Sequence, residues 1–174
     1  MKESKLVYSW YSLHTRSRFE NVVYDRLSKK SFESFLPKIK VKSKRRDRNA
    51  MINVPLFPGY IFVRTDLRPV EHLEILKTIG AVRLLGNRKG PVSVPEENID
   101  SLKIMVNCDA TVVTGNIIKK GEKVIVVYGP FAGLTGIFVR YKGQGRVVVN
   151  IDTLGQSASV EINQEDIEKL PEIL

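Results

Sequence analysis

The chain has 174 residues, 43% of them hydrophobic, which marks a globular protein long enough for one medium domain or two small ones. Its basic excess is lopsided: residues 1–106 hold 21 Lys and Arg against 11 Asp and Glu, residues 107–174 hold 7 against 8, so the first part alone calls for a polyanionic neighbour such as nucleic acid. The lone Cys108 excludes an intramolecular disulfide and a Cys-rich metal site, and no stretch reaches the ~20 apolar residues that a bilayer span needs. With no apolar signal-peptide core near Met1, the expected location is the cytoplasm.

Residues 6–13, LVYSWYSL, are β-branched and aromatic and predict a strand in which Trp10 is buried. Ser17-Arg18-Phe19-Glu20 follows with the spacing of a capping box, in which the serine oxygen accepts from a backbone N–H three residues on while Glu20 reaches back. The amphipathic helix it opens turns Phe19, Val22, Val23 and Leu27 inward. Residues 33–41 predict a second strand. Between Lys38 and Arg48 lie seven basic residues and one acid, Asp47, the composition of a hairpin tip. Two readings stand side by side: a solvated charged loop, or contact of Lys42, Lys44, Arg45, Arg46 and Arg48 with DNA or RNA phosphates. No aromatic residue is interleaved there, which argues against base stacking within the loop.

In residues 55–63, PLFPGYIFV, two prolines bracket Leu56 and Phe57 and force an extended or turning entry, and Gly59 frees the backbone to turn. The strand YIFV then sends Tyr60 and Phe62 to one face and Ile61 and Val63 to the other. One face can fill a core and the other is left for a partner, although all four can also pack inside. Residues 66–79 predict a helix with Pro69 in its first turn and Val70, Leu73, Leu76 and Ile79 making one apolar face. A short strand at 81–85, a turn at 86–90 and a third helix opening at Pro95-Glu96-Glu97, with Ile99, Leu102 and Met105 facing inward, complete a first domain over 1–106. This order predicts an α+β fold: an α/β sandwich of helices on an antiparallel sheet.

Residues 107–118 lose periodicity and charge and read as a linker. Beyond it, over 119–174, strands at 123–128, 134–141, 146–151 and 157–162 separated by glycine-marked turns predict a small all-β barrel.

Phe57-Pro58-Gly59-Tyr60 with its apolar strand resembles the signature of the NusG family of transcription elongation factors, and the likeness runs from Trp10 to Leu170. GEKVIVVYGPFAGLTGIFV, with Gly121, Gly129, Gly133 and Gly136, resembles the KOW motif of that family. The resemblance implies an amino-terminal NGN domain, an SH3-like carboxy-terminal barrel, and a monomer without a cofactor. It implies that Phe57, Tyr60 and Phe62 grip the clamp helices of the largest RNA polymerase subunit, and that Arg16, Arg18 and the 38–48 loop reach upstream or non-template DNA. It gives Phe131, Leu154 and Gln156 of the barrel a second partner, a ribosomal protein or a termination factor. Leu154 and Gln156 stand where housekeeping members usually carry phenylalanine and arginine, and PLFP matches the specialised paralogue RfaH, so the chain is most similar to the operon-specific antiterminators of the RfaH and UpxY kind.

A reaction is not expected. His14 and His72 lie in different elements without metal-ligand spacing, and Gly133-Leu134-Thr135-Gly136 lacks the lysine of a phosphate loop. The competing readings are a housekeeping factor that supports termination by Rho and a KOW-containing ribosomal or RNA-binding protein; the latter has no need of the apolar PLFPGY surface.

Overall fold

The structure is a computed structural model that describes residues 6–45 and 49–171. It divides into two compact units, residues 1–95 and 96–174.

The first unit is built on strand β1 (Ser9–Thr15), the centre of an antiparallel sheet. On one side of it lies β5 (Tyr60–Thr65), which pairs in turn with β2 (Ser34–Phe35); on the other lie β6 (Ala81–Leu84) and β9 (Ser93–Val94). Hairpin β3 (Lys38–Lys42) with β4 (Met51–Pro55) forms a separate two-stranded ribbon, as does β7 (Gly86–Asn87) with β8 (Gly90–Pro91). The strand expected over 33–41 is thus two strands, because Pro37 cannot donate to a ladder. Period-two alternation sorts the sheet as the pattern requires. Leu13, Ile61 and Val63 join Val23 and Leu27 of helix α1 (Glu20–Lys29) and Ile75 of helix α2 (Pro69–Leu76) in one core, while the opposite face carries Trp10, Ser12 and Phe62, all buried.

Helix α2 does not bury its apolar face. Val70, Leu73, Leu76 and Ile79 all lie exposed, and only Ile75 of the helix is buried. Its inward stripe is Glu71, Ile75 and Thr78. The Glu71 carboxylate is tied down there, accepting from the Thr65 hydroxyl at 2.6 Å and from the Asp66 amide at 3.3 Å.

The second unit begins with helix α3 (Glu96–Asn107), not after it. Sequence reading closes the first domain at residue 106; in the structure the helix is stitched to the strands that follow. Its Ser101 hydroxyl accepts from the Thr135 amide at 3.0 Å and donates to the Thr135 carbonyl at 3.1 Å, Asn98 donates to the Asn150 carbonyl at 3.0 Å, and Glu97 pairs with Lys123. The strands are β10 (Val113–Asn116), β11 (Glu122–Val126), β12 (Thr135–Tyr141), β13 (Gln144–Ile151), β14 (Gln156–Glu161) and β15 (Ile167–Lys169). They make one antiparallel sheet in the order β10-β14-β13-β12-β11-β15 around Val124, Val126, Leu134, Val147, Val149, Ile151 and Val160. Strand β10 falls inside the residues read as a linker. Gly136 of the KOW-like stretch lies within β12, where a Cβ would stand 2.5 Å from the Val148 carbonyl oxygen. Among the described residues no helix is long and apolar enough to cross a membrane.

Candidate functional site

The PLFPGY turn is fastened to the end of β1 by main-chain bonds. The Thr15 amide donates to the Gly59 carbonyl and the Arg16 amide to the Gly80 carbonyl, both at 2.8 Å. Glu20, almost fully buried, completes the knot: its Oε1 accepts from the Gly59 amide at 2.7 Å. The expected capping box is therefore absent. Arg18 takes a left-handed conformation (φ 65°), α1 starts at Glu20 with no side-chain cap, and the glutamate serves the turn from a distant part of the chain instead of its own helix end. Gly80 at φ 95° is irreplaceable here, since a Cβ would meet the Phe19 ring at 2.7 Å and the Val23 methyl at 2.9 Å.

The three aromatic residues expected to grip a partner have different fates. Phe57 and Phe62 are fully buried, packed edge to face at 6.4 Å between centroids, and Phe62 stacks on Phe35 at 6.1 Å. They are core in this structure, and a surface that uses them as exposed anchors is not what the chain presents. Tyr60 is half-buried and stacks on His14, ring centroids 5.2 Å apart and planes at 29°. Strand register explains the pair, because His14 of β1 stands opposite Tyr60 of β5 and, on its other side, opposite the exposed Arg83 of β6. A row of Tyr60, His14 and Arg83 thus crosses one face of the sheet at its end. His14 carried no sequence signal beyond alternation with Trp10 and Ser12, and Arg83 none at all.

Of the residues expected to meet nucleic acid, Arg16 and Arg18 are exposed beside this turn, and Lys42, Lys44 and Arg45 are exposed on the β3–β4 hairpin, all five without an ion pair among the described residues; Arg46 and Arg48 lie outside the described residues. Elsewhere in the unit Lys30 pairs with Glu74, Arg64 with Glu33 and Arg68 with Asp66. The exposed cations of the hairpin and of the α1 entry suit phosphate binding.

In the second unit Phe131 is buried in the wall of a groove of about 520 Å³ that Tyr128, Phe138, Arg140 and Glu161 also line. Leu154 and Gln156 are half-buried at the β13–β14 turn and do not line that groove, so the three residues expected to meet a second partner do not form one site. Exposed Tyr128 and Tyr141 were missed, because a single aromatic at a strand end gives no period to read. Among the described residues no group of three or more His, Cys, Asp or Glu is placed to hold a metal ion.

An α+β chain with an aromatic PLFPGY turn pinned to its central strand, a basic hairpin and a separate β-rich unit is the class these features define. The family model described as "Transcription termination factor nusG" matches residues 8–103. The chain belongs to the NusG family. It is 24% identical over 172 residues to the transcription termination/antitermination protein NusG of Helicobacter pylori (strain ATCC 700392 / 26695), covering 92% of this chain and 98% of that protein. It is 26% identical over 175 residues to that of Campylobacter jejuni, covering 94% and 98%. Among solved structures, Thermotoga maritima NusG shares the fold with a TM-score of 0.52 at 19% identity, covering 95% of this chain and 98% of that one.

Proposed function

We propose that this chain is a cytoplasmic, non-enzymatic transcription elongation factor that docks on RNA polymerase through its amino-terminal unit, suppresses pausing, and serves as an operon-specific antiterminator of the RfaH and UpxY kind. The observation that carries the reading is the Tyr60–His14 stack on a turn locked by Glu20, in a chain of the NusG family. An amphipathic ring held rigidly and half exposed loses little entropy on binding, which is what an interface anchor requires. Tyr60 with His14 is the contact; Phe57 and Phe62 hold the strand beneath it, and reach a clamp helix only if the packing over them opens.

A factor that touches both pincers of the polymerase only when they are closed stabilises the closed form by that difference in binding, which biases the enzyme against the open, paused state. Arg16, Arg18 and the hairpin cations retain the factor on upstream or non-template DNA. The β-rich unit offers Leu154 and Gln156, at its β13–β14 turn, to a ribosomal protein or a termination factor. The test is capture of the tagged full chain from nuclease-treated lysate: polymerase subunits persist with the wild type and are lost with Tyr60→Ala/His14→Ala. A partner that vanishes with the RNA instead would make the chain a ribosomal or RNA-binding protein.

A further inference from the structure

We propose that the outer edge of β14 is a seat for an extended strand of a partner protein that carries a small apolar residue in the place of Val112, a seat occupied in the free chain by β10. The inference is independent of the polymerase reading. The two strands are asymmetric. Ser157, Ala158, Ser159 and Val160 of β14 are all buried, as in a central strand, whereas Val113, Thr114, Gly115 and Asn116 of β10 are all exposed. Nothing in β10 is held by its side chains.

What holds it is main chain. The register pairs Val113 with Ser159 and Asn116 with Gln156, and two β14 hydroxyls add to the ladder: Ser157 Oγ donates to the Asn116 carbonyl at 2.8 Å and Ser159 Oγ to the Val113 carbonyl at 3.4 Å. These donors recognise carbonyls that every residue owns. Even Gly115 is not demanded by the seat, for a Cβ there would meet only Ser157 Oγ, at an ordinary 3.8 Å. A site that reads backbone and ignores side chains accepts another strand of the same shape, the mode by which peptides add to sheet edges.

The flanks say how the strand leaves. An extended run has no slack, so the stretch between Val112 and Ile118 departs only if one end lets go. At the far end Ile118 is gripped twice by the Asn150 amide, which donates to its carbonyl at 2.7 Å and accepts from its N–H at 3.1 Å. At the near end the anchor is the single apolar side chain of Val112, 9% exposed. Release of Val112 lets β10 swing away about Ile118, and the incoming strand needs one small apolar residue to take that place.

The experiment uses the full chain labelled with 15N and, as probe, a synthetic peptide with the sequence of residues 111–118. The peptide is expected to shift the amides of Ser157 to Val160 and to mobilise those of Val113 to Asn116, with at least tenfold tighter binding to Val112→Asp, whose own strand is weakened. A second variant, Thr114→Cys/Ala158→Cys in a Cys108→Ser background, joins register partners; it is expected to lose the peptide when oxidised and recover it when reduced. Equal binding by the oxidised and reduced forms, or no shift at β14 with any variant, overturns the seat. A dimer formed by reciprocal exchange of β10, seen by sedimentation, overturns it also, by making a second copy the occupant.

Discussion

The carboxylate of Glu20 accepts the Gly59 amide at 2.7 Å, joining the first residue of α1 to the turn of PLFPGY across 39 positions of chain. The bond is part-buried with its carboxylate almost fully buried, so its loss leaves the Gly59 N–H without its protein acceptor. Glu20→Ala is expected to destabilise the unit by ~1–3 kcal/mol, and Glu20→Gln by less, since the amide oxygen still accepts. Urea unfolding of the three proteins measures it; an alanine variant as stable as the wild type would show that the turn holds without its tie.

Phe62 and Tyr60 are two residues apart on one face, yet truncation should separate them. Phe62→Ala removes a fully buried ring that packs on both Phe35 and Phe57, and is expected to cost ~3–5 kcal/mol of stability. Tyr60→Ala should leave the circular dichroism spectrum intact and weaken polymerase binding by ~2 kcal/mol. If Tyr60→Ala binds as tightly as the wild type, the Tyr60–His14 pair is not the contact.

Lys42, Lys44 and Arg45 are exposed and without an ion pair among the described residues, so their replacement by glutamine should spare the fold. For each phosphate that the variant no longer neutralises, the slope of log K against log salt for the elongation complex is expected to flatten by ~0.7–0.9, single strands at the lower value. An unchanged slope would leave the hairpin a solvated tip.

At the β13–β14 turn, leucine buries less than phenylalanine and has no π face, and glutamine lacks the charge and donor fork of arginine. The wild-type chain is therefore expected not to stimulate termination by Rho in a purified transcription assay, and Leu154→Phe/Gln156→Arg to gain that activity. Wild-type protein that shortens transcripts as a housekeeping NusG does would reject the antiterminator assignment.

Much of this molecule is written in local pattern. YIFV alternates with period two, and the structure places Ile61 and Val63 in one core and Phe62 on the opposite face; Ile99, Leu102 and Met105 recur at helical spacing and are all buried. The family signature and the basic hairpin are equally local, one being a run of residue types and the other a run of charge. Three matters lay outside the reach of such patterns. An apolar stripe says that a helix is covered but not by what, so the hydrogen bonds of Asn98 and Ser101, and not periodicity, assign α3 to the strands that follow it. An edge strand whose side chains all face water has no period, which is why β10 reads as a linker. And burial on both faces of a strand depends on what packs against it: alternation puts Phe62 and Tyr60 on the same side, and only the packing of Phe35 and Phe57 around the first, and of His14 against the second, makes one ring core and leaves the other partly in water.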